Sequence, residues 1–497
     1  MYLSCEMQRM QQRLEGYAHD FGLDFFDVHF EMLDYNMVNQ IAAYDGFPTR
    51  YPHWRFGMEF ERLSKSYAYG LHRIYEMVIN TDPCVAYLLA SNLPVDQKLV
   101  MLHVFGHSDF FKNNLWFAHT NRKMLDEMAN HASRVRRHVE RQGLEQVEDF
   151  LDACLSLDNL IDIHAAGIRR RPQPAQDDET QAVVHKLPAK DYMDTYINPP
   201  DYLAWQQHQI EADELQRRKF PAEPEKDVLL FLLEHAPLEN WQHDLLDIVR
   251  EESYYFAPQR QTKIMNEGWA SYAHTNLMTR YALEPNELID YADHHSGTVA
   301  VQPGRINPYK LGLELFRDIE GRWDRGAFGP EYEACDHLRA RAEWDLHLGL
   351  GRQKVFEVRR IYNDIGFIDE FLTEDFAREH RLFNFDYNEV NDQYEITSRE
   401  FQEIKRRLLF QLTNFGQPII AVEDANYENR GQLYLVHQHE GIDLDIPYAQ
   451  ATLRNLYSLW NRPVHIETKV EGKVRMLFSY GPEGNERKRL SDEDEDE

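Results

Sequence analysis

The chain is poor in positive charge, in cysteine and in long apolar runs, and each shortage excludes something. Lys and Arg number 54 against 84 Asp and Glu, a formal net charge of −30. A surface this acidic repels DNA, RNA and anionic lipid, so nucleic acid is not an expected partner. Only four cysteines occur in 497 residues, Cys5, Cys84, Cys154 and Cys335, and no Cys-x-x-Cys pair is among them. That argues against a zinc ribbon or a dense disulfide framework and fits a reducing compartment. The opening MYLSCEMQRMQQRLEGYAHDFGLDFF has no basic segment leading into an apolar one, so no secretory signal is expected. No apolar run reaches the roughly 18–20 residues that a bilayer span needs. The expectation is a cytoplasmic protein without a transmembrane segment.

Apolar material is nevertheless plentiful. Hydrophobic residues make up 43% of the chain, with 8 Trp, 27 Phe and 27 Tyr, enough to fill the cores of two or three structural units. Up to about residue 165, stretches such as MQRMQQRLEGYAHDFGL and VEDFLDACLSLDNLIDIHAA repeat apolar residues at intervals of three and four, the helical period. YDGFPTRYPHWRFGM, between them, reads as a packed aromatic loop. Residues 168–226 turn rich in proline and charge and read as an excursion, after which helical patterning resumes. From about residue 386 the pattern becomes helix, two strands, helix and a hairpin around Glu471-Gly472. The expected fold is therefore mainly α over residues 1–385, with a small C-terminal α+β domain (αββαββ) over 386–482. LSDEDEDE closes an acidic segment, 483–497, expected to be solvated and disordered.

Chemistry concentrates in two short stretches. In LVMLHVFGHSDFFKNNLWF, His103 and His107 stand four apart, so one helical face carries both imidazoles. Zinc would need a third ligand, and such a pair alone is equally the mark of packed, hydrogen-bonded histidines. The second stretch, IMNEGWASYAHT, puts Glu267, Ser271 and His274 on one helical stripe. NEGWA resembles the Asn-Glu-Gly-Phe-Ala segment that brings the glutamate ligand to gluzincin-type zinc proteases. A divalent transition metal, with zinc the first choice, would be held by His103, His107 and Glu267. The usual glutamate beside the first histidine, which takes the proton from metal-bound water, is here Val104. A hydrolytic site would need another proton carrier, with Asp109 and His274 as candidates. Lys112 and Arg260 are candidates for holding an anionic substrate group, and His295, Asn307 and Tyr309, in DHHSGTVAVQPGRINPYKLG, for lining the cleft.

YPHWRFGMEFE, YEMVINTDPCVAYL, GHSDFFKNN, PQRQTKIMNEGWASYAHT and INPYKLGLELFRDIE, in that order, resemble the SpoVR (stage V sporulation protein R) family, from about residue 10 to 480. Family motif positions fall here on His103, Gly106 and His107, followed by Phe110, Phe111 and Lys112, and on Asn266 to Ala270 with His274 downstream. Absence of the glutamate after the first histidine is shared by the family, which makes Val104 a family trait. The resemblance implies a part in forming the spore cortex, a peptidoglycan layer, although the family also occurs in bacteria that form no spores. Two functions compete. One is a metal-dependent hydrolase of amide or peptide bonds. The other is a non-catalytic assembly or regulatory protein whose C-terminal domain binds envelope or sporulation proteins. A di-iron oxidase would need paired Glu-x-x-His motifs, and the sequence offers none.

Overall fold

Pro94–Asn113 carries apolar residues on every side, and a helix of that composition is stable only where other elements cover it all round. The computed structural model describes residues 3–68, 76–167, 184, 186–190, 193–300, 306–388 and 391–490. It buries this helix so completely that from Val95 to Phe111 only Leu99 escapes. The chain is mainly α-helical with a small C-terminal α+β part, and it divides into two compact units: residues 1–148 with 254–416, and residues 149–253 with 417–497.

In the first unit, helix Lys263–Leu277 packs against both Pro94–Asn113 and helix Pro308–Arg325. Small residues permit the close approach. A Cβ added to Gly106 would lie 2.8 Å from Ala270 Cα, and one on Gly268 would lie 2.4 Å from Gly312 Cα. The first turn of Lys263–Leu277 is satisfied from outside, because Asp364 accepts the Ile264 and Met265 N–H groups at 2.8 Å each. Phe105, Phe110, Trp269, Tyr272 and Phe316 fill the space between helices.

The helical reading of residues 1–165 needs one correction. Three strands interrupt it: β1 (Val28–Leu33), β2 (Glu76–Ile79) and β3 (Cys84–Leu89), in the order β1-β3-β2 with β1 and β3 parallel. Central β3, CVAYLL, has an unbroken apolar run rather than strand alternation, and such a run cannot be told from a buried helix by period alone. The aromatic loop is packed as expected, with Phe47, Tyr51 and Phe56 buried, but its end already belongs to helix Trp54–Ala68.

The helical unit also runs further than residue 385. Hairpin β4 (Asn384–Asn388) and β5 (Gln393–Ser398) is followed by helix Phe401–Leu412, whose Ile404 and Leu408 enter the first unit's core. The helix expected to open the C-terminal domain thus packs elsewhere, and the second unit resumes at Gln417.

The second unit is built on a five-stranded sheet, β6 (Ile419–Tyr427), β7 (Gln432–Gln438), β8 (Val464–Val470), β9 (Val474–Gly481) and β10 (Gly484–Arg489), in the order β10-β9-β8-β7-β6. β7 and β8 are parallel and are joined through helix Ile446–Trp460, which packs on β8 and β9. The β8–β9 connection turns at Glu471 and Gly472, both with positive φ, where the hairpin was expected. β10 occupies residues assigned to the acidic tail, because GNERKR, which is not acidic, pairs with β9. Part of the proline-rich excursion is helical too, at Asp194–Ile197 and Pro200–Arg218. Residues 168–183 of that excursion, 301–305 of the DHHSGTVAVQPGRINP segment and 491–497 of the tail lie outside the described residues.

Candidate metal centre

Helical spacing puts His103 and His107 on the face of Pro94–Asn113 that meets Lys263–Leu277, with ring centroids 4.5 Å apart and ring planes nearly perpendicular. Glu267 enters from the facing helix. His103 Nε2 lies 3.6 Å and His107 Nε2 3.4 Å from the same oxygen, Glu267 Oε2. These separations exceed a good N–H···O hydrogen bond. They match donors sharing one ion, since bonds of about 2.0–2.2 Å at tetrahedral angles set neighbouring donors about 3.3–3.6 Å apart. Glu267 Oε2 makes no hydrogen bond among the described residues, while Oε1 is held by Lys263. The carboxylate therefore offers a single oxygen to the centre.

The far side of each imidazole is held as a metal ligand's should be. His107 Nδ1–H donates to Asn266 Oδ1 at 2.8 Å, and His103 Nδ1 lies 2.8 Å from His274 Nδ1. With His103 Nε2 used as a ligand, its proton sits on Nδ1 and is donated to His274, which leaves the His274 proton on Nε2. His274 Nε2 and Ser271 Oγ are buried without a hydrogen-bond partner among the described residues, on the same helical stripe as Glu267. Buried polar atoms left unpaired are rare, and three on one stripe mark a place that expects polar occupants. The residues present therefore fit a divalent cation.

Electrostatics follow from near-complete burial. Exposure is 2% for His103, 5% for His107 and Glu267, and 3% for His274. Burial raises the Glu267 carboxyl, but the facing imidazoles of His103 and His107 and the charge of Lys263 outweigh it and hold the group well below the usual carboxylate range. Burial, then the neighbouring His103, His295, His107 and Arg317, push His274 well below an ordinary histidine, so it is neutral.

The other sequence candidates separate into two sets. Tyr309 stacks its ring on His103 at 6.1 Å, and the half-buried His295 lies 5.9 Å from the His274 ring, so both belong to the surroundings of the centre. Asp109 does not. It sits on another face of its helix, where Oδ2 accepts from Trp269 Nε1 at 2.8 Å and pairs with Arg359 at 3.1 Å, and Oδ1 accepts the Asp24 N–H at 2.8 Å. Burial pushes its carboxyl up to about 6 against Arg359 and these donors. It ties helices together, with both carboxylate oxygens engaged by these partners. Lys112 pairs with Asp24, Arg260 is exposed beside the Phe415 ring, and Asn307 caps helix Pro308–Arg325 while donating to Thr298 and Ala300 carbonyls. None of these three reaches the centre. Val104 is wholly buried in the apolar core.

Sequence reasoning placed Asn266 in a motif without giving it a role, and missed Lys263. Their signal was present: Asn266 precedes the glutamate within NEGWA, and Lys263 stands four residues before it, the spacing of a helical ion pair.

A mainly helical protein in which two histidines of one helix and a glutamate of another converge on one point is the class that fold and site define. The chain belongs to the SpoVR family: residues 2–417 match the family description "SpoVR like protein", and 418–471 match "SpoVR-like C-terminal domain". A curated relative, "Uncharacterized protein YcgB" of Escherichia coli (strain K12), is 28% identical over 494 residues, covering 93% of this chain and 92% of the relative. No solved structure matches the chain.

Proposed function

We propose that the protein is a metal-dependent hydrolase of amide or peptide bonds, acting in the cytoplasm on a precursor or protein of the cell envelope. The observation that carries this reading is the convergence of His103 Nε2 and His107 Nε2 on Glu267 Oε2 at 3.6 and 3.4 Å. Three donors form the candidate group. A catalytic zinc site keeps three protein ligands and an open position, whereas structural sites are closed by four. A divalent cation held there, zinc by the chemistry of the donors, would polarise a carbonyl and acidify a water.

The chain's own residues do the rest. Asn266 and His274 orient the two imidazoles, and Lys263 directs Glu267 by holding its other oxygen. With Val104 an aliphatic core residue and Asp109 engaged elsewhere, His274 is the polar group left beside the centre, and its Nε2–H would donate to the oxyanion that develops on an attacked carbonyl. Tyr309 and His295 border the position where a substrate carbonyl would sit. The family name supplies the envelope context, and the C-terminal unit would recruit sporulation or envelope proteins.

The test is turnover. Full-length protein is incubated with peptides and peptidoglycan-derived muropeptides, and released amine is measured. Amide cleavage that is abolished by a chelator and lowered about a hundredfold or more in kcat by His274→Asn, with unchanged thermal unfolding, is expected of a lost oxyanion donor. A second reading, a structural metal in a non-catalytic assembly protein, is favoured by the near-complete burial of all three donors. Bound metal without turnover on the panel, and with metal content insensitive to His274→Asn, would select it.

A further inference from the structure

Helix Pro308–Arg325 has two working faces. Tyr309 stacks on His103 and Gly312 lies against Gly268, while Lys310, Leu311 and Glu314, about 100° per residue further round, line a separate cavity. Its volume is about 270 Å³, close to the lower end of small-molecule sites at about 300 Å³. Leu311, Phe376, Ile404 and Leu408 are buried and give it an apolar floor.

The charged residues of the wall do not cancel. Glu314 is paired with Arg317 at 3.0 Å and Arg407 with Asp386 at 2.9 Å. Lys310 and Arg381 have no ion-pair partner among the described residues. Two cations without an ion pair among the described residues lie beside an apolar floor, in a chain of net charge −30. Arg381 is also held at φ 54°, a left-handed conformation. It follows helix Glu374–Glu379 and closes it, with the Leu382 N–H bonded to Ala377 O at 2.9 Å. Glycine is the usual residue there, because a Cβ is strained at that φ. Arg381 is exposed, and its side chain lies on the cavity wall, where the guanidinium can meet a ligand entering from solvent.

We propose that this cavity binds a small amphipathic anion: a medium-length alkyl or acyl chain on the floor, with a carboxylate or phosphate head held by Lys310 and Arg381. The site is distinct from the candidate metal centre and does not depend on a metal being bound there.

Isothermal titration calorimetry on the full chain with octanoate, octyl phosphate and octan-1-ol tests it. Either anion should bind one site about tenfold or more tightly than the alcohol, the margin of a charge-assisted contact. The better of the two heads tells carboxylate from phosphate. Arg381→Gly removes the guanidinium and relieves the left-handed backbone, so its thermal transition should hold or rise while anion affinity falls to that of the alcohol. Lys310→Met should weaken the anion likewise. Equal binding of anion and alcohol, unchanged anion affinity in Arg381→Gly, or no saturable binding of either anion to millimolar concentration would overturn the proposal.

Discussion

Within NEGWA every residue has a separate task. Asn266 orients His107, Glu267 supplies the third donor, Gly268 lets the helix lie against Gly312, Trp269 reaches Asp109 on the histidine helix, and Ala270 faces Gly106. Asn266→Ala removes the acceptor that sets the His107 tautomer. Metal affinity measured by chelator competition should fall about 10–100-fold, the usual effect of losing such a partner, with the helical circular-dichroism signal retained. The three donors were legible in the sequence, because an i, i+4 histidine pair and a familiar glutamate segment are local patterns. The partners of those donors were not. Whether Asp109 faces the centre or Trp269 and Arg359 depends on how two helices distant in sequence are rotated against each other, and one residue of helical advance turns a side chain by about 100°. The same rotation took Lys112 away from the centre and brought Tyr309 to it.

Elements meet in this fold where side chains are absent. Gly268 and Gly312 are in backbone contact, so Gly268→Ala would place a Cβ 2.4 Å from Gly312 Cα. The helices would have to separate, with a stability loss of about 1–3 kcal/mol or more, to be measured by denaturant unfolding. Gly16, with nothing within 4 Å of its would-be Cβ, is the control and should lose nothing from crowding. In the C-terminal unit, β7 carries His437, whose Nδ1 meets Thr468 Oγ1 at 2.8 Å. Burial, with His439 nearby, pushes its imidazole down to about 4 from 6.5. Between those values the unfolded chain holds a proton that the folded chain refuses, so this residue lowers stability as pH falls from 6.5 toward 4. His437→Gln should flatten that part of the stability–pH profile in denaturant titrations at stepped pH, while leaving the profile above pH 7 parallel to wild type. Strands β6 to β9 and the helix between β7 and β8 were legible because they alternate and turn sharply, as at Glu471-Gly472. By contrast, β10 lies in residues expected to be tail, and the expected opening helix packs in the first unit. The three-stranded sheet of the first unit was missed because β3 is apolar throughout.

At the scale of the whole molecule, composition foretold the class of fold but not where its parts divide. The change in patterning near residue 386 marks a hairpin and a helix that still belong to the first unit, and the second unit takes residues 149–253 together with 417–497. A discontinuous unit leaves no linker signature at its true boundary, so neither proline content nor charge could locate it. No helix among the described residues is long and apolar enough to cross a membrane. The central claim concerns one point inside the first unit, where His103, His107 and Glu267 converge. Its direct test is plasma mass spectrometry of metal content on the purified full chain, beside Glu267→Gln and the His103→Ala/His107→Ala double variant, all matched for folding by circular dichroism. The account predicts about one divalent transition-metal ion per wild-type chain, as for a three-ligand site, and its loss from both variants. A wild-type chain that stays free of metal after reconstitution, or variants that keep the metal, would contradict it.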